Sequence, residues 1–459
     1  MCKPGEGSAD QADENIPGLV SAKAPGTPAR RSLWEPVEHP VTNVLYAIIG
    51  VSSVVLWIID CPLSTRPCSI LFKPLTDSKK VQAFFGKLRL PYVWAERALT
   101  KIMFKDPGDT AHMRLLLYVW FVVVPFHVYL HYVYQWGYDL KTVGMMIALS
   151  TVNYGPSFAT AKAFFGLIHL EGHAAWRGGL MKRPFWFLER SAEWMWTPIQ
   201  GALPEGPRTF HVCMHHKYFN NLDDLTCTLF YDRASKKDFF LKFMPRMYVL
   251  RTLGFGMLYH FYLKKSWKNF KRQVVAMVWV YAQVALAALL QPTWLPVIHM
   301  LAMQLVYTMF YFVNEWGMHA FIDPLESNNP FLEKNTTILP DTNYQSEAYH
   351  LSHHAKNTSY AAKDKYKEQK FYEVEVNTDK NRRQYNCFSG MVYLDLFKKL
   401  MKADFDSLAE HLVLSKNVEM SHKEKVELLK RRTRKFDYRS YTQEFLESRG
   451  FYGPLMHVE

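Results

Sequence analysis

The chain has 459 residues, 49% hydrophobic and 15% aromatic, with a formal charge of +13, which is long enough for a large core or for several membrane spans. Its mean hydropathy of -0.16 excludes a protein made only of spans, so part of the chain faces water. The basic balance alone does not argue for nucleic-acid binding, and nothing else in the sequence supports it.

Residues 1–40 are rich in Gly, Ser, Pro and Ala and carry four Lys/Arg against six Asp/Glu. They have neither an apolar signal core nor the Arg-rich, acid-poor pattern of a transit peptide, and are expected to form a disordered tail. Five apolar runs follow, at 41–59, 115–136, 144–168, 274–290 and 294–313. Each approaches the roughly 20 residues that a bilayer core demands of a helix. Asn153, Pro156 and Lys162 weaken the third. Buried core helices are the alternative reading. Lys and Arg crowd 60–113, 169–272 and the chain after Val313, and are nearly absent from 137–143 and the link at Pro292. By the positive-inside rule, the loops beginning near 60, 169 and 314 then share the cytoplasmic face.

The expected architecture is an all-α membrane protein. It would be a helical bundle of about four to five transmembrane helices with a cytosolic helical cap. The expected division is a tail over 1–40, a membrane domain over 41–360 and a charged cytosolic helical region over 361–459. Segment 238–263 mixes Lys/Arg with large apolar side chains, which suits a helix lying in the interface or an ordinary buried one. The run "KEKVELLKRRTRKF" reads as a solvated face, with attraction to anionic lipid or an acidic redox partner as the alternative. Cys2, Cys61, Cys68, Cys213, Cys227 and Cys387 show no C-x-x-C spacing, so free thiols are expected.

Histidine carries the strongest signal. With 18 in the chain, a given three-histidine pattern should occur by chance roughly 0.03 times, by composition alone. Two occur. His211, His215 and His216 form H-x3-H-H in "FHVCMHHKYF", and His350, His353 and His354 form H-x2-H-H in "YHLSHHAKN". His169 and His173 add H-x3-H in "IHLEGHAAW". On an α-helix, positions i and i+4 share a face, so His169 with His173, and His211 with His215, are expected to address common spaces. Adjacent residues diverge by about 100°, so His216 and His354 should aim elsewhere than their neighbours, and the clusters could bracket two metal ions. Eight histidines are too many for one closed four-ligand zinc site. An even number of crossings separates the clusters, so all three fall on the cytoplasmic side. His127 and His131 repeat the H-x3-H spacing but lie deep within the second run, toward the opposite side, and read as polar residues in span packing.

"HLEGH", "HVCMHH" and "HLSHH", in this order and interleaved with spans, resemble the three histidine boxes of the integral-membrane fatty acid desaturase and alkane hydroxylase superfamily, over roughly residues 114–360. The resemblance implies two iron ions held by histidines, with O2 as co-substrate and a lipid or acyl C–H bond as target. The implied ligands are His169, His173, His211, His215, His216, His350, His353 and His354. A ninth histidine follows the last span in that superfamily, with an asparagine nearby, and "VNEWGMHAFID" supplies His319 and Asn314, one residue further apart than in the family pattern. The second box is similar to that of the hydroxylases, whereas their Asn-Tyr-x-Glu-His signature is absent. A fatty acyl desaturase is the first expectation and a lipid hydroxylase the second, in the endoplasmic reticulum membrane with boxes and C-terminus cytosolic. A His-rich metal transporter is the alternative from another class, though beyond His127, His131 and His299 the spans offer such a path little.

Glu171 lies two residues after His169, so "HLEGH" is not the H-E-x-x-H of zinc peptidases. Glu171, Asp223, Asp224, Asp323 and Glu347 are candidates to orient ligand imidazoles, with solvated or capping roles as the alternative. Glu205 in "LPEGPR" reads as loop. No haem-binding His-Pro-Gly-Gly stretch, no G-x-G-x-x-G after a strand and no iron–sulfur cysteine set occur, so electrons are expected from a separate donor of cytochrome b5 or ferredoxin type. The sequons at Asn335 and Asn357 fall on the side assigned to the cytoplasm and are expected to be unmodified.

Overall fold

The computed structural model describes residues 28–36, 40–52, 93–154, 159–174, 179–322, 335–339, 384–415 and 418–453. The described chain is mostly helical. Helix α1 is Pro40–Ser52. Helix α2 is continuous through Thr110–Tyr118, Val119–Val123, Val124–Val128 and Tyr129–Val133, alternating α and π turns. Helices α3 (Leu140–Tyr154), α4 (Ala159–Ala174) and α5 (Trp186–Ile199) follow.

Helix α6 joins Pro207–His215 to His216–Tyr218. Helix α7 joins Lys236–Asp238, Phe239–Phe243, Met244–Met247 and Tyr248–Thr252. Helices α8 (Phe255–Leu263), α9 (Trp267–Leu290) and α10 (Leu295–Met318) complete the first part. A two-stranded parallel sheet pairs β1 (Thr337–Leu339) with β2 (Cys387–Ser389), Thr337 opposite Cys387. Helices α11 (Tyr393–Met401), α12 (Phe405–His411), α13 (His422–Thr433) and α14 (Gln443–Ser448) end it.

Three helices are long and apolar enough to cross a membrane: α2 over His112–Val133, α9 and α10. The expected count of four to five spans is therefore not met among the described residues. The first apolar run is described only as far as Ser52. The third is described as α3, ending at Tyr154, and α4, beginning at Ala159, and 155–158 lie outside the described residues.

Helix α10 is the central element, because 67% of its most apolar window is buried against 22% for α9. Pro296 sits in its first turn, where a backbone N–H has no intrahelical partner to lose. Helix α9 turns Val275, Val278, Leu286 and Leu289 outward, an apolar face suited to lipid. The first half of the 238–263 segment is an ordinary buried helix, with Phe239, Phe243, Met244 and Met247 in the main core. Only α8 keeps the interfacial character expected of that segment, exposing Phe255, Tyr259 and Tyr262.

The tail expected to be disordered over 1–40 is docked from Pro28, which bridges to Thr442. Trp34 is buried in the main core, and Arg30 pairs with Asp223 at 2.5 Å. The C-terminal helices share that core: Leu396, Leu408 and Leu429 pack in one cluster with Phe312 and Trp316 of α10. Arg233, fully buried, ties the parts together. It donates to the carbonyls of Ala320 (3.0 Å), Tyr231 (3.1 Å), Ile322 (3.1 Å) and Arg432 (2.7 Å). Cys213, Cys227 and Cys387 are buried free thiols, as expected.

Candidate metal centre

Two buried groups of side chains each bring three ligand atoms within 4.8 Å of one another: His169, His173 and His211, and His215, Glu315 and His319. They meet where the C-terminal ends of α4 and α10 reach α6. His169 and His173 follow the α-helical i, i+4 rule, their rings 5.0 Å apart. Helices α4 and α6 approach closely because position 172 is glycine. A Cβ there would lie 3.0 Å from both the Cβ and the carbonyl oxygen of Pro207.

Helix α6 departs from the expected pairing. Pro207–His215 is a π-helix, and its capping N–H from His216 reaches back five residues to the His211 carbonyl. Stacking is therefore i, i+5: His216 Nε2 lies 2.9 Å from His211 Nε2, which in turn lies 3.0 Å from His169 Nε2. His211 and His215, expected to share a space, are divided between the two groups. His216 joins the first group, its ring 4.8 Å from that of His173. His215 turns to the second, 3.3 Å from His319 Nε2 and 3.4 Å from Glu315 Oε1.

Asp224 fixes the His215 ring. Its Oδ2 lies 2.8 Å from His215 Nδ1 and also accepts from the Asn220 N–H, while Oδ1 accepts from the Thr226 N–H and hydroxyl. The turn that returns Asp224 to the helix runs through Phe219 (φ 56°) and Asn220 (φ 54°) in the left-handed region. For a bulky residue such as Phe this costs on the order of 1–3 kcal/mol, which the surrounding packing must supply.

Burial opposes the charged form of both His169 and His215, and the two groups resolve this differently. Desolvation, aided by the nearby His215, holds His169 down at about 3, so its ring is neutral with a lone pair to give. For His215, the Glu315 and Asp224 carboxylates outweigh desolvation and raise it to about 9. A cation at the second group would therefore displace a proton.

The other expected residues distribute as follows. Asp224 takes the supporting position foreseen for it. Asp223 does not reach an imidazole; it accepts from Arg30 and from the Gly453 N–H. Glu171 also faces away, because two residues on a helix rotate it by about 200° from His169. Both its oxygens are buried without a hydrogen-bond partner among the described residues. Burial, with Glu189 and Glu193 nearby, holds its carboxyl well above the usual range.

Glu205, read as loop, is buried and pairs with Arg190, while its N–H donates to Glu193 Oε1 at 2.6 Å. Arg190 also holds Glu193 at 2.5 Å. Asn314 donates to the Phe310 carbonyl at 2.9 Å. Glu315, which no motif singled out, is the residue of "NEWGMH" that meets the histidines. Its signal was its position four residues before His319 on one helix face. His350, His353, His354, Asp323, Glu347 and Asn357 lie outside the described residues. Asn335 is 2% exposed, which leaves its sequon inaccessible.

Among known proteins, the chain matches no family model, no curated protein and no solved structure.

Proposed function

We propose that the chain is a membrane-bound, O2-dependent lipid oxidoreductase with a two-iron centre, in the first place a fatty acyl desaturase. One observation carries the reading. Two histidine-rich groups, drawn from segments up to 150 residues apart, converge, all buried, at one end of an apolar helix. The donor set suits iron: neutral imidazoles with one carboxylate are borderline nitrogen and oxygen ligands. His169, His173, His211 and His216 would hold one ion, and His215, Glu315 and His319 the other, with His350, His353 and His354 proposed to complete them. Bound iron supplies the reduction of O2 and the abstraction of hydrogen from an alkyl C–H bond.

The chain's own residues prepare that site. Asp224 orients His215 and, with Glu315, offsets positive charge at the second group. Phe165 and Phe210 pack edge-on and stacked against His169 and His215, lining the approach with apolar surface and limiting water. We place the site on the cytoplasmic face of the endoplasmic reticulum membrane, where a separate cytochrome b5 or ferredoxin-type donor would deliver electrons. Hydroxylation is the second reading, favoured by the H-x3-H-H spacing at His211.

The test is iron analysis of protein purified after iron-replete expression, followed by lipid analysis of the expressing host. About two irons per chain and lipids lacking two hydrogens support the desaturase. A gained oxygen supports the hydroxylase, and absence of iron overturns both.

A further inference from the structure

The surroundings of the two histidine groups hold a buried cation that the proposed function does not use. Arg251 lies in the last turn of α7, among rings of α6 and α10. Its guanidinium carbon is 4.1 Å from the centre of the Tyr311 ring, 4.8 Å from that of Phe210, 5.2 Å from Tyr307 and 5.8 Å from Phe312. The residue is 9% exposed. The turn that carries it is pinned by the Thr252 hydroxyl, 2.7 Å from the Thr308 hydroxyl on α10.

Other buried arginines spend their donors on the fold. Arg233 serves four carbonyls. Arg432 donates to Asn386 Oδ1 at 2.7 Å and to the Gln384 carbonyl at 2.8 Å. A guanidinium carries five N–H donors, and Arg251 gives one, from Nη2 to the Tyr307 hydroxyl at 3.2 Å. Among the described residues, Nε and Nη1 have no acceptor and Arg251 forms no ion pair. The aromatic faces lower the cost of holding the cation out of water, but a ring face is a weak acceptor for an N–H group. Donors left unfilled in a buried place are costly, and a buried cation with spare donors points to an anionic ligand.

Its place relates it to the histidines. Tyr307, Tyr311 and Glu315 recur at four-residue spacing on one face of α10, so the two tyrosines stand two turns and one turn before Glu315. Phe210 packs on the guanidinium at 4.8 Å and on the His215 ring at 6.3 Å, which keeps the guanidinium carbon within about 11 Å of that ring. We propose that Arg251 anchors the substrate by binding the carboxylate of an unesterified long-chain fatty acid, an inference that rests on the lipid-oxidising function proposed above.

The chemistry selects the head group. The planar guanidinium fork matches a carboxylate bidentately. An ester or thioester carbonyl is neutral and would leave the charge uncompensated, and four crowding rings favour the smallest anionic head. An extended alkyl chain advances about 1.3 Å per carbon from ordinary bond lengths and angles. The separation from His215 therefore puts the attacked carbon within about nine of the carboxylate, counted from the carboxyl end.

The experiment measures binding of radiolabelled hexadecanoate to the chelator-stripped full chain in detergent, by scintillation proximity, so the readout does not depend on iron. Wild type is expected to bind the probe saturably. Unlabelled hexadecanoate should displace it, and its methyl ester, its coenzyme A thioester and hexadecanol should not. Arg251→Gln, with the melting temperature as the folding check, is expected to weaken binding by about tenfold or more. Arg251→Lys keeps the charge without the fork and is expected to weaken it several-fold, which carries the test should the glutamine variant not fold. Absence of saturable binding by wild type, unchanged affinity in a folded variant, or equal displacement by the methyl ester overturns the anchor. Carboxylate binding by a protein that takes up no iron on iron-replete expression supports the anchor site and overturns the proposed function, so the two failures are told apart.

Discussion

Substituting Gly172 by Ala tests the packing on which the proposed metal centre depends. The new Cβ would lie 3.0 Å from the Pro207 Cβ and oxygen and 3.1 Å from its carbonyl carbon. Ordinary carbon contacts are about 3.5–4.0 Å, so α4 and α6 must part by roughly 0.5–1 Å. Most of what the Cβ meets is backbone and cannot rotate aside. Overpacking of this kind costs about 1–3 kcal/mol, and the gain from Ala over Gly within a helix is about 1 kcal/mol. The net is a loss of up to about 2 kcal/mol, read as a melting temperature lowered by a few degrees.

Metal binding should suffer more than stability. The proposed ligands of the first group come from both helices, and metal–ligand distances tolerate only about 0.2 Å. Iron content and activity are therefore expected to fall well before the protein unfolds. Gly144→Ala is the control, since a Cβ there meets nothing within 4 Å, and it should be neutral or stabilising by up to about 1 kcal/mol. If Gly172→Ala melts higher than wild type and keeps its iron, the reasoning about this contact is wrong.

The second group yields a pH prediction. The His215 value raised to about 9 stabilises the chelator-stripped protein fully below the unfolded histidine value of about 6.5, and that stability is lost as pH rises through about 9. The loss is on the order of 3 kcal/mol, counted once for the His215–Asp224–Glu315 set, and denaturant melts across pH would measure it. Asp224→Asn should flatten this pH dependence and weaken metal binding by about 10–100-fold; an unchanged profile would count against the pairing. Glu315→Ala should remove about half the iron by elemental analysis, because it disrupts the second group and leaves the first intact. Arg233→Met removes its hydrogen bonds to four buried carbonyls, of which that of Arg432 keeps the Ile322 N–H, and should cost about 3 kcal/mol or more in a denaturant melt.

The site was more legible than the fold. His169, His173, His211, His215 and His216 announce themselves by spacing and His319 through the family resemblance, and they meet in two adjoining groups. The carboxylates did not, because acids are common on solvated faces and their meaning lies in the third dimension. Glu171 stands inside the first motif yet faces Glu189 and Glu193, while Glu315 carries no motif and lies 3.4 Å from His215. The docking of Trp34 and of α11 to α13 into the core was likewise hidden. Composition marks the flanking segments as polar, and their few apolar residues show a purpose only once α10 is in place.

The division of labour in "HVCMHH" turns on a backbone choice that residue spacing cannot reveal. On an α-helix, three histidines at i, i+4 and i+5 put the first two on one face and the third well round from them. The π-helix over Pro207–His215 brings i and i+5 together instead. His211 and His216 then serve the group built on α4, and His215 is left to serve the group built on α10. The same three letters thus supply two sites from one helical turn. Deleting Val212 tests this reading, because in an α-helix His211 would stand four residues before the present His216 and the i, i+4 rule would keep the pairing that the π-helix makes at i, i+5. Replacing the π turn by an α turn in this way is expected to leave iron at the group built on α4, and loss of that iron from a folded deletion variant would refute the account of the pairing.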